Sequence, residues 1–445
     1  MSGKIEPRTL KGFRDTMPDA AAARNRMFRA IEAVFESFGY VPIDTPALEY
    51  AEVLKGKGGD ESDKQMFEFD DPGGRRVAMR FDLTVPLARF VAEHQNELPF
   101  PFRRYHIGPV WRGERPQKGR YREFTQCDAD LIGPTGPVAD AEILTMYARV
   151  FGALGVEGFV IRVNDRRILT GLLEVEGVAD KATPVLRALD KWDKVGREGV
   201  RAEMLEAGVG DAAADRLVAF PACQGADDAE TIARIEALVG GNAKAREGLE
   251  GLKAVGRLLR SAGVPAAQVR VDPTIARGLD YYTGIVFEAA LPSASASGFG
   301  SMGGGGRYDD LAGLYTNTRL PGVGCSVGLS RLMEALLEQG RLGEAATTRG
   351  VIVTHPESGD ADAAVALAAA VRAEGFAVEA YPEPRKHAAQ MKFADKKGLR
   401  FALTLDADGS VHGKDLRGGG SFTAKDASEA ADEMHRRLAA PLPPA

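Results

Sequence analysis

The sequence predicts an α+β protein with a mainly antiparallel sheet, a helical insertion and a separate C-terminal α/β domain. Three observations lead to this fold class. Strand-like and helical segments are grouped up to residue 164, without the regular alternation of a doubly wound sheet. Residues 165–262 are rich in Ala, Leu, Glu and Arg, whereas residues 350–445 alternate in a β-α-β-α-β pattern. The 445 residues have room for about two to four domains.

Residues 1–164 are predicted to form the first part of a catalytic body. An amphipathic helix is expected between Asp19 and Gly39, with Pro18 as its start signal and Gly39 as its stop. Short apolar or alternating runs then predict strands within YVPIDTPALE, RRVAMRFDL, RRYHIGPVWR, FTQCDADLIG and FVIRV. Between these runs lie two helical stretches, LTVPLARFVAEH and DAEILTMYARVFGALG.

The remaining segments complete the predicted domain organisation. After the helical insertion, residues 263–340 return to strand-like sequence, pass through the glycine-rich GFGSMGGGGRYDD and end in a helical pattern. They are expected to finish the catalytic body. Residues 341–349 are small and polar and predict a linker. In residues 350–445, helices through 361–375 and near 386–397 are expected between the strands RGVIVTH, FAVEAY and FALTL.

Composition and charge exclude several classes of protein. The 57 Lys and Arg residues against 63 Asp and Glu residues give a net charge of −6, so a basic body that coats a polyanion is excluded. The three cysteines form no zinc-ligand or disulfide pattern, and no protein-built metal site is expected. The N-terminal MSGKIEPRTLKGFRD lacks a signal-peptide core and no run approaches a membrane span. We therefore expect a cytoplasmic protein without membrane contact.

A local basic patch lies between Arg103 and Arg122. Seven basic residues stand there against one acid, Glu114. Because Pro116 and Gly119 are turn formers between two strand-like runs, we predict a long hairpin loop that carries guanidinium groups to a polyanion. Taken alone, the pattern is more typical of a solvated charged hairpin.

Two further segments favour a ligand site. In ARGLDYYTGIVFE, residues 276–288, Tyr281 and Tyr282 would face opposite ways on a half-buried strand, with Arg277 at the rim of a pocket. A tyrosine-rich core strand is the alternative interpretation. In GVGCSVGLSRL, small residues at a strand-to-helix junction leave room for a ligand near Arg331. That arginine could equally be a solvated helix residue.

Other nucleotide and metal motifs are not supported. Residues 298–303 satisfy G-x-G-x-x-G, but they follow the loop-like PSASAS and lack the acidic residue that a ribose requires about twenty positions on. No G-x-x-x-x-G-K-[ST] and no H-E-x-x-H motif occurs. A dinucleotide fold, a Walker-type ATP site and hydrolytic zinc chemistry are therefore not expected.

The chain resembles the class II histidyl-tRNA synthetases along essentially its whole length. Motif 2 lies within RYHIGPVWRGERPQKGRYREFTQCDAD, motif 3 within GVGCSVGLSRL, and the histidine-specific signature is ARGLDYYTG. The segments KGFRDTMP, MRFDLTVPLARF, NDRRIL and GGGGRYDDL also match, and an anticodon-binding-like tail follows. The resemblance implies a histidine–tRNA ligase that converts L-histidine and ATP to histidyl-adenylate and pyrophosphate, then transfers histidine to the 3′ end of histidine tRNA. It also implies Mg²⁺ on the ATP phosphates and a homodimer.

The resemblance assigns residues to ATP. Arg112 matches the arginine that holds the α-phosphate and the substrate carboxylate, and Arg331 the one that clamps the terminal phosphates. Both tasks need a permanent positive charge. Phe124 matches the aromatic residue that stacks on adenine, Glu114 the acid near the adenine amino group, and Arg120 is expected to reach the outer phosphates.

The histidine site is implied in the same way. Arg277 matches the arginine that stabilises the pentavalent transition state, so Arg277 and Arg112 are the implied catalytic residues. The α-amino group is assigned to Asp82, Thr84 and Gln126, and the imidazole nitrogens to Asp130 and Tyr282. The implied histidine-binding set is Asp82, Leu83, Thr84, Arg112, Gln126, Asp130, Arg277, Tyr281 and Tyr282. An amino acid without a ring nitrogen would leave a buried group unpaired, at a cost of ~1–3 kcal/mol.

Two positions depart from the family pattern, and the residues assigned to tRNA rest on less specific matches than those assigned to ATP and histidine. Positions 82 and 130 are Asp where many bacterial members carry Glu, although the loop ERPQKGRYR has the short bacterial form. Arg115 and Gln117 resemble the part of the loop that reads the acceptor end of the tRNA. By analogy the helical insertion packs over the acceptor arm. The basic helix near 386–397 is assigned to the anticodon, although such a face is more often simply solvated.

Two rival functions share parts of this pattern. The regulatory paralogue that serves ATP phosphoribosyltransferase typically lacks both the ARGLDYY signature and the C-terminal domain, and both are present here. A catalytically silent tRNA sensor is the second rival. The presence of Arg112, Arg277 and Arg331 argues against it.

Overall fold

The computed structural model describes residues 4–55, 65–117, 119–275, 281–292, 299–341, 350–355, 357 and 361–439. The chain divides into two compact units, residues 1–16 with 24–342 and residues 17–23 with 343–445. Of the predicted linker 341–349, all but its first residue lies outside the described residues. No helix within the described ranges has the length and apolar character that a membrane span requires.

The described residues form helices and strands in the grouped order that the sequence predicts. The helices are α1 (Pro18–Ser37), α2 (Ala51–Leu54), α3 (Thr84–Glu93), α4 (Pro137–Ala153), α5 (Arg166–Val175), α6 (Ala182–Leu189), α7 (Trp192–Glu206), α8 (Asp211–Ala219), α9 (Asp228–Val239), α10 (Ala243–Ser261), α11 (Leu329–Glu338), α12 (Ala361–Ala373), α13 (His387–Lys396) and α14 (Ala427–Ala439). The strands are β1 (Val41–Pro42), β2 (Leu48–Tyr50), β3 (Glu68–Asp70), β4 (Arg76–Met79), β5 (Phe102–Trp111), β6 (Glu123–Ile132), β7 (Val160–Asp165), β8 (Val269–Val271), β9 (Ile285–Ala290), β10 (Gly303–Tyr308), β11 (Gly322–Gly328), β12 (Gly350–Val353), β13 (Ala377–Ala380), β14 (Phe401–Leu405), β15 (Val411–Asp415) and β16 (Ser421–Ala424).

The larger unit is built on an eight-stranded sheet in the order β1-β5-β6-β11-β10-β9-β7-β8. The pairs at its two ends, β1 with β5 and β7 with β8, are parallel. The pairs between them are antiparallel. The prediction of a mainly antiparallel sheet is confirmed.

The centre of this sheet contains a strand that the sequence analysis did not predict. Strand β10 reads GGGGRY, and a run of glycines is a poor strand former because it has no side chains to pack. The close approach of the neighbouring strands explains why glycines occupy β10. A Cβ atom on Gly305 would lie 2.1 Å from the carbonyl oxygen of Gly324, so only glycine permits the approach of β10 to β11.

The segment between the parallel strands β7 and β8 is helical, as predicted. Helix α5 begins directly after β7, with the side chain of Asp165 accepting a hydrogen bond from the backbone N–H of Arg167. Helix α10 packs against α4 and α5. The edge strand β8 is covered by side chains of the insertion, because the Val271 N–H donates to Asp228 Oδ1 at 2.9 Å and the Val271 carbonyl accepts from Gln224 Nε2 at 3.2 Å.

A smaller sheet in the order β2-β4-β3 supports the segment that leads into α3. Buried apolar residues from α2, β4 and α3 form one cluster with Phe81. This packing fixes the backbone of residues 81–84, which immediately precede and begin α3. The position of Asp82 is set in this way.

The C-terminal unit has its own five-stranded sheet in the order β13-β12-β14-β15-β16. The first three strands are parallel and confirm the predicted β-α-β-α-β pattern. The antiparallel strands β15 and β16 and the helix α14 were not predicted. The two strands, VHGKD and SFTA, contain no apolar run that would predict them. Only one face of β15 is buried, so only alternate residues need to be apolar. A separate apolar core, which includes Val351, Phe401 and Met434, fills the unit.

Candidate active site

The predicted basic hairpin loop is confirmed. Strands β5 and β6 pair in antiparallel register from Phe102 opposite Ile132 to Trp111 opposite Glu123, and residues 112–122 connect them. The backbone groups of Gln117 and Arg120 bond to each other in both directions and close the turn. Gly119 has a φ of +67°, and a Cβ atom there would lie 3.0 Å from the ring of Phe299. Arg115 and Gln117 are exposed near the tip of the loop.

Arg112 is held at the start of this loop. Its Nε donates to the carbonyl oxygen of Phe81 at 3.0 Å, and its guanidinium carbon lies 5.1 Å from the ring centroid of Phe124. The first contact ties the arginine to the segment that carries Asp82. The second is a cation–π arrangement that leaves the guanidinium beside an aromatic face.

Arg331 lies against the other side of the same loop. It is in the first turn of α11, and its Nη1 donates to the carbonyl oxygen of Ser301 at 2.6 Å. A Cβ atom on Gly119 would be 3.3 Å from Arg331 Cγ, so the absence of a side chain there lets the arginine pack against the turn. Arg120 and Glu114 approach to 3.8 Å within the loop. The structure therefore places Arg112, Arg120 and Arg331 around one hairpin.

Polar side chains on β6 form the floor of the candidate binding pocket. Gln126, Asp128 and Asp130 alternate along the strand, so they lie on one face of the sheet, and all three are buried. Asp130 faces Arg104 on β5 and Gly324 on β11, while Asp128 faces His106 and Ser326.

Asp130 is held by two buried partners. Its Oδ2 lies 2.6 Å from Arg104 Nη2, and its Oδ1 accepts a hydrogen bond from the hydroxyl of Tyr308. Arg104 also donates to the carbonyl oxygen of Leu83 at 3.2 Å, so it joins the floor of the pocket to the turn before α3. Burial raises the pKa of Asp130, and the charge of Arg104 opposes that rise.

Glycines in β10 and β11 make room for these side chains. A Cβ atom on Gly324 would lie 1.9 Å from Asp130 Oδ1, and one on Gly306 would lie 2.8 Å from the ring of Tyr282. The glycines of these segments thus leave space for the pocket side chains and also allow the strands to approach each other closely.

The two tyrosines correct a prediction. They do not lie on a strand, because β9 begins only at Ile285, and β9 is almost fully buried where a half-buried strand was expected. Their rings are 5.0 Å apart in an edge-to-face arrangement, and both pack against the same apolar cluster. Tyr281 and Tyr282 therefore do not face opposite ways. Burial raises the pKa of the Tyr282 hydroxyl, which the charges of Asp130 and Asp128 reinforce.

Three buried oxygen atoms near the pocket have no hydrogen-bond partner among the described residues, and one of them, Asp130 Oδ2, still forms the ion pair with Arg104. Asp82 Oδ1 accepts from the backbone N–H of Val85 in the first turn of α3 at 3.0 Å, but its Oδ2 has no partner. Gln126 Oε1 is likewise without one. Burial raises the pKa of Asp82, whereas the Val85 N–H and the charge of Arg112 oppose that rise. The acceptors on Asp82 and Gln126 are both available to a hydrogen-bond donor on a ligand.

Four residues of this pocket were not predicted: Arg104, Asp128, Tyr308 and Ser326. The period-2 spacing of Gln126, Asp128 and Asp130 was a signal for Asp128, since it places three polar residues on one face of a strand. Arg104 was counted only as part of the basic patch, and Tyr308 and Ser326 have no sequence signal of their own. Arg277 lies outside the described residues. Among the described residues, no group of three or more His, Cys, Asp or Glu side chains is arranged to hold a metal ion.

Comparison with known proteins agrees with this geometry. The family model for histidyl-tRNA synthetase matches residues 12–332. A histidine–tRNA ligase from Rhodopirellula baltica is 50% identical over 408 residues, which are 91% of each chain. The crystal structure of histidyl-tRNA synthetase from Nostoc sp. PCC 7120 aligns with a TM-score of 0.85 at 31% identity, over 98% of this chain and 100% of that one.

The fold is also shared with a structure described as an ATP phosphoribosyltransferase regulatory subunit/histidyl-tRNA synthetase from Bacillus halodurans. Its TM-score is 0.74 at 24% identity, over 88% of this chain and 97% of that one, which indicates a common fold alone. The larger unit has a mainly antiparallel sheet, an arginine-bearing hairpin and a strand-to-helix junction between β11 and α11. This is the catalytic architecture of the class II aminoacyl-tRNA synthetases, which are ATP-dependent ligases. Within that class, the chain belongs to the histidyl-tRNA synthetase family.

Proposed function

We propose that this chain joins L-histidine to histidine tRNA, with the amino acid bound over β6 and β11 and ATP bound beside the β5–β6 loop. The observation that carries the proposal is that two buried acceptors, Asp82 Oδ2 and Gln126 Oε1, have no partner among the described residues, while Arg112 of the hairpin loop is bonded to the residue before Asp82. An α-ammonium group has three donors and a positive charge, so it has enough donors for both acceptors.

The imidazole is assigned to Asp130 and Tyr282. Arg104 stabilises the ionised form of Asp130, so this carboxylate accepts a hydrogen bond from a ring N–H. The raised pKa of Tyr282 keeps its hydroxyl protonated and able to donate to the second ring nitrogen. An amino acid without these ring nitrogens leaves both groups unpaired in a buried site. Leu83, Thr84 and Tyr281 complete the proposed histidine set.

The first chemical step needs positive charge around the α-phosphate. A carboxylate oxygen of histidine attacks that phosphorus, the bond to the bridging oxygen of the β-phosphate breaks, and pyrophosphate leaves with the electron pair. Arg112 is suited to hold the α-phosphate and the attacking carboxylate together, because its guanidinium is planar and always charged. Arg277 is proposed to stabilise the pentavalent transition state from the opposite side.

The remaining ATP contacts follow the hairpin. Phe124 offers its ring to adenine, Glu114 accepts from the adenine amino group, and Arg120 and Arg331 bind the outer phosphates. The loop is rich in guanidinium groups and poor in carboxylates, so Mg²⁺ that accompanies ATP would be held chiefly by phosphate oxygens. There it would neutralise the charge of the leaving pyrophosphate.

In the second step a ribose hydroxyl at the 3′ end of the tRNA attacks the carbonyl carbon of the adenylate. The bond between that carbon and the phosphate oxygen breaks, AMP leaves with the electron pair, and the hydroxyl proton is released. The exposure of Arg115 and Gln117 at the loop tip supports their proposed contact with the acceptor end. We assign residues 1–164 and 263–340 to catalysis, 165–262 to the acceptor arm, 341–349 to a linker and 350–445 to the anticodon. We further propose a cytoplasmic homodimer.

The two rival functions are less well supported. A regulatory subunit does not need arginines for ATP. In this chain Arg112 lies at the start of the hairpin loop beside Phe124, and Arg331 packs against the turn of the same loop. A silent tRNA sensor needs no buried acceptors for an ammonium group.

Charging of tRNA tests the proposal directly. Purified protein with ATP and labelled L-histidine should attach histidine to histidine tRNA and leave a control tRNA for another amino acid uncharged. Equal, background-level labelling of the two tRNAs would refute it.

A further inference from the structure

Gln126 is held by a short network of buried groups. Its Nε2 donates to Ser326 Oγ at 2.8 Å and lies 3.4 Å from each carboxylate oxygen of Asp128. Asp128 and Gln126 are 2% and 8% exposed. Ser326 stands directly opposite Asp128 in the β6–β11 register.

With Asp128 ionised, as it mostly is at pH 8, the network has one consistent direction. The carboxylate accepts hydrogen bonds and donates none, so the group that faces it is the N–H₂ of the Gln126 amide. Ser326 Oγ accepts from the same amide nitrogen. A flipped amide would place its oxygen against the carboxylate and lose both contacts. The oxygen of Gln126 is therefore directed away from Asp128, which accounts for its lack of a protein partner.

We propose that Asp128, together with Ser326, is a positioning residue for amino acid recognition: the two acceptors fix the Gln126 amide so that Oε1 accepts from the substrate α-ammonium. This inference rests on the proposed histidine site. Asp128 itself touches no reacting atom. Its contribution is confined to the α-amino end of the substrate, because the imidazole is assigned to Asp130 and Tyr282.

Binding of two ligands to the full-length protein separates this role from a structural one. L-histidine carries the α-ammonium group, and 3-(imidazol-4-yl)propionate carries the same ring and carboxylate without it. At pH 8, Asp128→Ala should weaken L-histidine about tenfold, since one charged hydrogen bond is lost. It should leave 3-(imidazol-4-yl)propionate within about twofold of wild type.

Three further variants complete the experiment. Ser326→Ala keeps the buried charge and should weaken L-histidine in the same selective way, so it decides the question if Asp128→Ala does not fold. Cys325→Ala is the matched control, because Cys325 is the buried neighbour on β11 whose side chain faces the other side of the sheet. It should bind both ligands normally. In a Gln126→Ala background, adding Asp128→Ala should cause no further loss of L-histidine affinity.

Two results would overturn the inference while leaving the proposed function intact. One is an equal loss of both ligands in Asp128→Ala and Ser326→Ala, which would mean a general collapse of the pocket. The other is an additive loss in the double variant with Gln126→Ala. Failure of the wild-type protein to bind L-histidine at all would instead overturn the proposed function, and this inference with it.

Discussion

Arg104 and Asp130 face each other across the β5–β6 hairpin, with 2.6 Å between Arg104 Nη2 and Asp130 Oδ2. The side chains are 0% and 3% exposed, so this ion pair is screened from water. The same guanidinium reaches the carbonyl oxygen of Leu83. One buried side chain thus connects the floor of the pocket to the turn that carries Asp82.

Breaking this pair should strongly destabilise the fold. Arg104→Met leaves a buried carboxylate without its partner, and we expect a loss of about 3–5 kcal/mol in the free energy of unfolding. Urea denaturation measures it. Adding Asp130→Asn should recover part of the loss, because the uncompensated charge is removed.

Arg103→Met is the matched control for that experiment. Arg103 is the next residue on the strand and pairs with Glu142, but the two side chains are 33% and 22% exposed. Its loss should be below about 1 kcal/mol. Equal losses for the two arginines would contradict the special role of Arg104.

A second prediction concerns pH. Burial raises the pKa of Asp128 to about 7, reinforced by Asp130 and Asp82 and opposed by Arg104 and Ser326. Among the described residues, the other titratable or charged groups that face it or act on it are Arg80, His106, Cys127, Tyr147, Tyr282 and Cys325. The unfolded chain has an ordinary aspartate, with a pKa of about 3.9, and binds fewer protons between these values. This group therefore lowers stability as pH rises from about 4 to about 7.

Asp128→Asn removes that titration. The Tm of the variant relative to wild type should be higher at pH 8 than at pH 5, which thermal unfolding at the two pH values measures. A difference that is the same at both, or larger at pH 5, would show that Asp128 ionises normally in the fold.

The sequence predicted the hairpin that carries this site better than the contacts among its buried side chains. The hairpin that carries Arg112 was predictable because turn formers interrupt two strand-like runs. The orientation of Tyr281 and Tyr282 was not, since it depends on where β9 begins, and short apolar runs define strand ends poorly. The strand β10 was missed because its glycines are selected by close contacts from other segments, which no local propensity records.

The buried ion pair between Arg104 and Asp130 could not be predicted from the sequence either. Arg104 stands beside Arg103 in the sequence, and both read as parts of one basic patch. Only the register of the sheet separates them, since adjacent residues on a strand point to opposite faces.

The third prediction tests the assigned role of Arg277. Because its charge is needed chiefly at the α-phosphate, Arg277→Ala should lower the rate of adenylate formation by about 10²-fold or more. The Kd for L-histidine should stay within about threefold of wild type, since one assigned contact among several is lost. Single-turnover kinetics and calorimetry measure the two quantities. A near-normal rate would show that the role is misassigned.

A fourth prediction separates the C-terminal unit from catalysis. Lys392 and Lys396 are exposed on α13. The double variant Lys392→Glu/Lys396→Glu should raise the KM for histidine tRNA about tenfold or more, because two favourable charges become repulsive toward phosphate. Pyrophosphate exchange should be unchanged. Lys425→Glu, exposed in the same unit but outside α13, is the control and should leave both activities unchanged.

The central claim is that an ATP site and a pocket for histidine lie together on one face of the large sheet. Pyrophosphate exchange into ATP, measured with each of the twenty amino acids in turn and without tRNA, tests it most directly. Exchange should require L-histidine, and Gln126→Ala should raise the KM for it. Exchange supported by another amino acid, or none with L-histidine, would contradict the claim.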